Sequence, residues 1–253
     1  MVAREHDRHR GTTLGARNPL RRRTRAGEDT EGRAAVRTPD REHVRRHPAA
    51  TTPHRVISLR RALVKPHVRV VGIDDGAFRR VDRRAPIAAV TVSAPEYVEA
   101  VEVGSVEVDG RDATERAVEL VRRTGHLADL RAVLVDGVVL GGFNVVDLDR
   151  LAGELRLPVV SLTRRAPDLA RIRAALVKWF SRDARRRYAL LTAHRLFPVP
   201  TSGRPIFASV VGCRRVDALA LIRRTTVRGF WPEPLRLAHL IASAGSGRAR
   251  AKD

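Results

Sequence analysis

The order of strand-like and helix-like segments is the feature that most restricts how this chain can fold. β-Branched or alternating runs at 68–73, 86–94 and 98–108 predict three strands in succession. A helical pattern follows at 113–123, and strands and helices then alternate. Further strands are predicted at 131–135, 157–162 and 206–211, and further helices at 145–155, 167–180, 216–226 and 234–243.

This order favours one arrangement of the sheet. Three consecutive strands can form an antiparallel meander, whereas alternating strands and helices require parallel pairing with crossover helices. The sequence therefore predicts an α/β fold with a mixed sheet flanked by helices. Three antiparallel strands followed by parallel ones is the layout of the ribonuclease H-like fold.

The N-terminal segment has a different character. Residues 1–60 hold 15 Lys/Arg and 7 Asp/Glu, with no Phe, Trp or Tyr and no apolar periodicity. Such a segment cannot bury enough apolar surface to offset its ordering entropy. We therefore expect a disordered basic extension over 1–63, a folded domain over 64–246 and a disordered tail over 247–253. The extension is either an arm that binds nucleic acid or, as its lack of lysine favours, sequence upstream of a natural start near Val64.

Composition excludes several classes of protein. The net charge is +21, and 43% of residues are apolar, which is enough for a core. One cysteine excludes a disulfide scaffold and a zinc site built from several thiolates. No apolar run approaches the roughly 18–20 residues that span a bilayer, and no secretory signal is visible. We expect a cytoplasmic protein with no membrane partner, and the basic charge favours nucleic acid as the partner.

Acidic residues recur where predicted strands end. Asp74 and Asp75 end the first strand, and Asp136 ends the fourth. Other candidates lie near the first helix or on the second: Asp109, Asp112, Glu115, Asp147 and Asp149. Hard divalent cations take oxygen ligands, and paired metal ions can activate a water and stabilise the leaving oxygen in phosphodiester cleavage. Each Asp alone is more typical of a turn or a helix cap, but together they predict a metal site.

Other patterns are weaker. Cys213 could be a thiol nucleophile, but a small core residue is favoured. His239 lies inside an apolar helix and is interpreted as a hydrogen-bonded core histidine. Trp179 and Phe180 are interpreted as core residues rather than a base-stacking site. The basic run 181–187 is interpreted as an extension of the helix before it. It could bind phosphates, although a solvated surface is the simpler interpretation.

Five segments resemble one known family. They are KPHVRVVGIDDGAF at 65–78, VDGRDATE at 108–115, LVDGVVLGGFNVVDL at 134–148, LPVVSLTRRAPD at 157–168 and PEPLRLAHLIASA at 232–244. On these segments the chain is identified as a member of the chiefly archaeal domain-of-unknown-function family ninety-nine, also called uncharacterised protein family 0215. That family is similar to endonuclease V, a ribonuclease H-like enzyme that cuts nucleic acid near deaminated purines, chiefly inosine.

The resemblance implies a metal site. The first-strand and fourth-strand ligands of endonuclease V correspond to Asp74 and Asp136. The glutamate ligand before the first helix corresponds to Asp112, with Glu115 and Asp109 as alternatives. The late Gly-His of that enzyme corresponds to Gly212-Cys213, so its histidine is missing here. Asp217 is a possible late carboxylate, and the loop that wedges open the duplex is not recognisable.

Three functions follow as hypotheses. The first is a nuclease dependent on Mg²⁺ or Mn²⁺ that acts on DNA or RNA, with Asp74, Asp112 and Asp136 as metal ligands and catalytic residues. The second is a catalytically inactive module that binds nucleic acid on the same fold. The third is a metal-dependent enzyme acting on a small phosphorylated molecule.

Overall fold

The computed structural model describes residues 59–95 and 97–245. Seven strands form one sheet in the order β3-β2-β1-β4-β5-β7-β6. The strands are β1 Val68–Asp75, β2 Arg84–Ala94, β3 Tyr97–Glu107, β4 Ala132–Asp136, β5 Val159–Thr163, β6 Phe197–Val199 and β7 Ile206–Val211. The helices are α1 Leu59–Leu63, α2 Ala113–Arg123, α3 Leu148–Leu155, α4 Leu169–Trp179, α5 Ala184–Leu191, α6 Arg215–Thr225 and α7 Glu233–Gly245. No described helix is long and apolar enough to cross a membrane.

The strand directions confirm the predicted mixed sheet. β1, β2 and β3 form an antiparallel meander. β4 runs parallel to β1, and β5 runs parallel to β4. β7 pairs antiparallel with β5, and β6 pairs antiparallel with β7. As a result β1, β3, β4 and β5 all end at one edge of the sheet, which we call the carboxyl edge.

Two short elements differ from the sequence-based prediction. β6 was not predicted, because three residues with a central proline are too few to show alternation. The basic run after α4 is not an extension of that helix. The backbone leaves the helical conformation at Phe180, and a separate helix, α5, begins after Asp183.

The predicted disordered extension over 1–63 is wrong for its last five residues. These residues form α1, in which Leu59 is 2% exposed and packs in the same core cluster as Val68 and Trp231. A five-residue helix is too short to show apolar periodicity, so only its packing reveals it. Residues 1–58 and the predicted tail at 247–253 lie outside the described residues.

The core has one layer on each face of the sheet. In β1, Val70 packs with Leu221 of α6 and Leu235 of α7, whereas Val71 packs in the cluster that contains α2 and α3. Successive strand side chains point to opposite faces, so a continuous apolar run is what a strand covered on both faces requires.

Two glycines allow α7 to lie directly on the backbone of β1. A Cβ atom on Gly72 would overlap the backbone of Pro234, and one on Gly76 would overlap the backbone of Ala242. Neither glycine has a positive φ. They are needed for close approach rather than for backbone conformation.

Candidate catalytic site

Asp74 and Asp136 lie side by side at the carboxyl edge. β1 and β4 are parallel neighbours with Ile73 opposite Val135, so the following residue of each strand is a carboxylate. Asp74 is 3% exposed, and burial raises its pKa. Burial, followed by the adjacent charge of Asp74, raises the pKa of Asp136 to about 7. Two carboxylates held together away from water repel each other, and a proton or a cation relieves that repulsion.

His239 of α7 contacts the same carboxylate. Its Nδ1 lies 3.0 Å from Oδ2 of Asp74, and this hydrogen bond is the main cause that raises the pKa of the imidazole. The side chain is 51% exposed, so the ring lies at the surface of the site rather than in the core. Sequence reasoning predicted the hydrogen bond but missed the location. Helical spacing could have located it. Leu235 and Ala242, four and three residues away, are buried, so His239 shares the face of α7 that packs against the sheet.

Asp75 fastens the loop that follows β4. Its Oδ2 accepts the N–H of Gly141 at 2.6 Å, and the carbonyl of Gly141 accepts the N–H of Asp109 at 2.8 Å. Oδ1 of Asp109 in turn accepts the N–H of Phe143 at 2.7 Å. The loop 137–144 is thereby tied to the ends of β1 and β3. Asp75 and Asp109 therefore position this loop.

The guanidinium of Arg164 forms an ion pair with Asp136. Arg164, directly after β5, places Nη1 3.2 Å from Oδ2 of Asp136, and its guanidinium carbon lies 4.0 Å from the ring centre of Trp231. The Oγ of Ser161 donates to the carbonyl of Gly137 at 2.7 Å and fixes the turn after Asp136. These contacts hold Asp136 from the side of β5.

A cavity of about 480 Å³ lies between the loop 137–144 and the helices α4 and α5. Apolar side chains dominate its lining, including those of Val138, Phe143, Leu169 and Leu191. Gly137, the residue after Asp136, is one of its lining residues. The carboxylate pair therefore has an apolar space beside it.

The chain is similar to the proteins of one family. The endonuclease dU family matches residues 66–246. This chain belongs to that family. A UPF0215 protein of Methanopyrus kandleri is 38% identical over 182 residues, which cover 71% of this chain and 92% of that protein. A UPF0215 protein of Thermococcus gammatolerans is 41% identical over 186 residues, covering 72% and 93%. The predicted membership of an archaeal UPF0215 family similar to endonuclease V is confirmed.

Solved structures agree on the fold of this endonuclease dU family member. A protein of unknown function from Archaeoglobus fulgidus is similar with a TM-score of 0.63 and 30% identity, covering 70% of this chain and 97% of that one. Ciona intestinalis endonuclease V, in complex with a 24mer DNA containing an inosine, gives 0.51 at 14% identity, covering 74% and 89%. At that identity the second likeness shows the fold alone. The predicted ribonuclease H-like fold is confirmed.

Asp112 does not join the carboxylate pair in this structure. One of its oxygens accepts the N–H of Glu107 at 3.0 Å and Nδ2 of Asn144 at 2.7 Å, and the other lies 3.7 Å from Arg84. Asn144 also caps the first residue of α2, accepting the N–H of Ala113 at 3.0 Å. Over 59–95 and 97–245, no three His, Cys, Asp or Glu side chains are grouped so that they could hold a metal ion.

The remaining acidic candidates lie on helices or at their caps and have partners other than the carboxylate pair. Glu115 pairs with Arg150, Asp147 accepts the N–H of Arg150 as the cap of α3, Asp149 lies 2.9 Å from His194, and Asp217 pairs with Arg214. For these residues the structure supports capping and surface pairing.

Cys213 and Trp179 differ in how well the structure agrees with their predicted place in the core. Cys213 packs beside the core, and burial raises the pKa of its thiol to about 11, so it is a poor nucleophile. The expectation that Trp179 is a core residue is wrong, because its side chain is 58% exposed. α4 packs mainly through Leu176, and Trp179 at its last turn lies beyond that contact. Phe180 is half-buried against Phe143.

Proposed function

We propose that this member of the endonuclease dU family is an endonuclease that depends on Mg²⁺ or Mn²⁺, with DNA or RNA as its substrate. The observation that carries the proposal is the pairing of Asp74 with Asp136 at the carboxyl edge, where burial raises both pKa values and the charge of Asp74 further raises that of Asp136. A divalent cation held by these two carboxylates would relieve that repulsion.

The donor set fits such a cation. Mg²⁺ is usually held by one or two carboxylates, with water and substrate phosphate oxygens completing its coordination. Asp74 and Asp136 supply two carboxylates, and water and a substrate phosphate would supply the remaining ligands. The cation would lower the pKa of a bound water and stabilise charge on the cleaved phosphate. The role of Asp112 as a third ligand stays a prediction, and it requires its carboxylate to leave Asn144.

The residues around the carboxylate pair orient it and hold the neighbouring loop. His239 orients Asp74 through Nδ1. No described residue has a hydrogen bond to its Nε2, which can therefore carry a proton to or from the reacting phosphate. Asp75 holds the loop 137–144, and Arg164 attracts both the carboxylate of Asp136 and an incoming phosphate.

Cleavage of labelled oligonucleotides tests the proposal. Unmodified strands are compared with strands that contain deoxyuridine or inosine, with Mg²⁺, Mn²⁺ or EDTA. We expect metal-dependent cleavage that Asp74→Asn and Asp136→Asn each lower by ~100-fold or more. Asp168→Asn is the matched control, because Asp168 caps α4 and asparagine caps equally well. Cleavage that continues in EDTA, or that survives Asp136→Asn, contradicts the proposal.

Two observations favour a second candidate, an inactive module that binds nucleic acid. Asp112 is engaged elsewhere, and Arg164 already partly neutralises Asp136. Such a module would bind the same oligonucleotides equally well in EDTA and in Mn²⁺, and would cut none of them. Tight binding without cleavage of any tested strand would favour this candidate.

A further inference from the structure

The segment between β5 and β6 carries a concentrated positive charge. Residues 164–196 contain ten Lys/Arg and two Asp/Glu, a net charge of +8. Both acidic side chains are engaged: Asp168 caps α4 and pairs with Arg171, and Asp183 is buried against Arg187. Seven cations of this segment have no carboxylate partner within the part of the chain that the structure describes: Arg165, Arg173, Lys178, Arg182, Arg185, Arg186 and Arg195.

Four of these cations lie close in sequence to an exposed tryptophan, Trp179. We call residues 178–186, where α4 turns into α5, the hairpin tip. Lys178, Arg182, Arg185 and Arg186 are all exposed there, and Nζ of Lys178 lies 4.8 Å from the ring centre of Trp179. An indole that is 58% exposed contributes little to packing. Its position among unpaired cations therefore needs another explanation.

Arg185 and Arg186 of the hairpin tip do not stabilise the helix that carries them. α5 has no acidic residue in its first turn, and Arg185 and Arg186 stand there instead. Cations near a helix N-terminus interact unfavourably with the helix dipole. The carboxylate of Asp183, which could cap α5, is directed to Arg187 and Arg111. The fold therefore tolerates an electrostatic cost at this corner, which an anionic partner would remove.

The hairpin tip is fastened to the catalytic site. Arg187 is 6% exposed and donates to the carbonyls of Asp109 and Phe143. The ring of Phe180 packs edge-on against Phe143 at 5.5 Å. Phe143 belongs to the loop 137–144, which begins directly after Asp136. A strand bound at the hairpin tip would thus be held in a fixed relation to the carboxylate pair.

We propose that the hairpin tip binds single-stranded nucleic acid, with Arg182, Arg185 and Arg186 on phosphates and Trp179 stacked on a base. Proteins that hold single strands combine a basic surface with aromatic side chains on which bases stack. The proposal rests on the proposed function for its choice of nucleic acid as the partner. It does not require that the strand be cut.

Binding in EDTA tests the hairpin tip without any cleavage. A labelled unmodified single strand is titrated into the full-length protein, the double variant Arg185→Gln/Arg186→Gln, and the matched control Arg156→Gln/Arg223→Gln. The control removes the same charge from two exposed arginines on other elements. We expect the first variant to bind ~10-fold more weakly at 0.1 M salt, with the slope of log affinity against log salt reduced by about 1.4. The control should change affinity less than about twofold.

Tryptophan fluorescence locates the base. The chain has two tryptophans, and Trp231 is 6% exposed, so quenching by the oligonucleotide should come from Trp179. Trp179→Leu should abolish the quenching and weaken binding by ~5-fold or more. Equal losses for both double variants, unchanged quenching in Trp179→Leu, preference for duplex, or no binding by the wild type overturns the proposal. If these binding results hold but no strand is cut, the proposed function fails and the hairpin tip stands.

Discussion

Replacing one member of the carboxylate pair should stabilise the metal-free protein. Because the pKa of Asp136 is about 7 in the fold and 3.8 ordinarily, ionising it costs stability that grows as the pH rises from about 4 to 7. Each pKa unit corresponds to about 1.4 kcal/mol, so the cost approaches about 4 kcal/mol at pH 8. The lost ion pair with Arg164 opposes the gain, so this value is an upper limit. Asp136→Asn should therefore be neutral near pH 4 and increasingly stabilising up to pH 7.

Urea unfolding at pH 4, 5, 6, 7 and 8 in EDTA measures this difference. Asp147→Asn is the control, because Asp147 caps α3 and asparagine caps equally well at every pH. Added Mg²⁺ or Mn²⁺ should stabilise the wild type by about 2.7 kcal/mol at a hundred times its Kd. It should stabilise Asp136→Asn much less. A difference between Asp136→Asn and wild type that does not vary with pH would refute the assignment of charge repulsion to this pair.

Three further predictions concern packing, each measured by urea unfolding. Leu59→Ala should lower the free energy of unfolding by about 2–4 kcal/mol, whereas Val64→Ala, at a position 83% exposed, should change it by less than about 0.5. Gly72→Ala should cost about 2 kcal/mol or more because α7 must shift, and Gly203→Ala, which meets nothing within 4 Å, is its control. Arg187→Met should cost about 3 kcal/mol, since the buried carboxylate of Asp183 keeps only the exposed Arg111 as a partner among the described residues. Equal effects within either pair, or no effect for Arg187→Met, would contradict these assignments.

The sequence predicted the contacts that follow from strand order. Asp74 and Asp136 each end an apolar strand, and parallel neighbouring strands bring their ends together at one edge. The contact between His239 and Asp74 joins residues 165 positions apart. It depends on how α7 lies along β1, which local patterns do not specify. Asp112 was placed by the resemblance, but Asn144 holds it elsewhere through a contact that no spacing rule anticipates.

The close approach of α7 to β1 also sets a length. Gly72 lies in β1 and Gly76 directly follows that strand, so about 13 Å of extended chain separates them. Their contacts Pro234 and Ala242 are eight residues apart on a helix, about 12 Å. The two elements therefore run nearly alongside each other and touch at two matched points. Asp74 lies midway between the first two points, and His239 lies between the second two. A methyl group at either glycine would push one end of α7 away from β1 while the other contact stayed in place. The imidazole of His239 would then move relative to Asp74, so two positions without side chains set the alignment of the site.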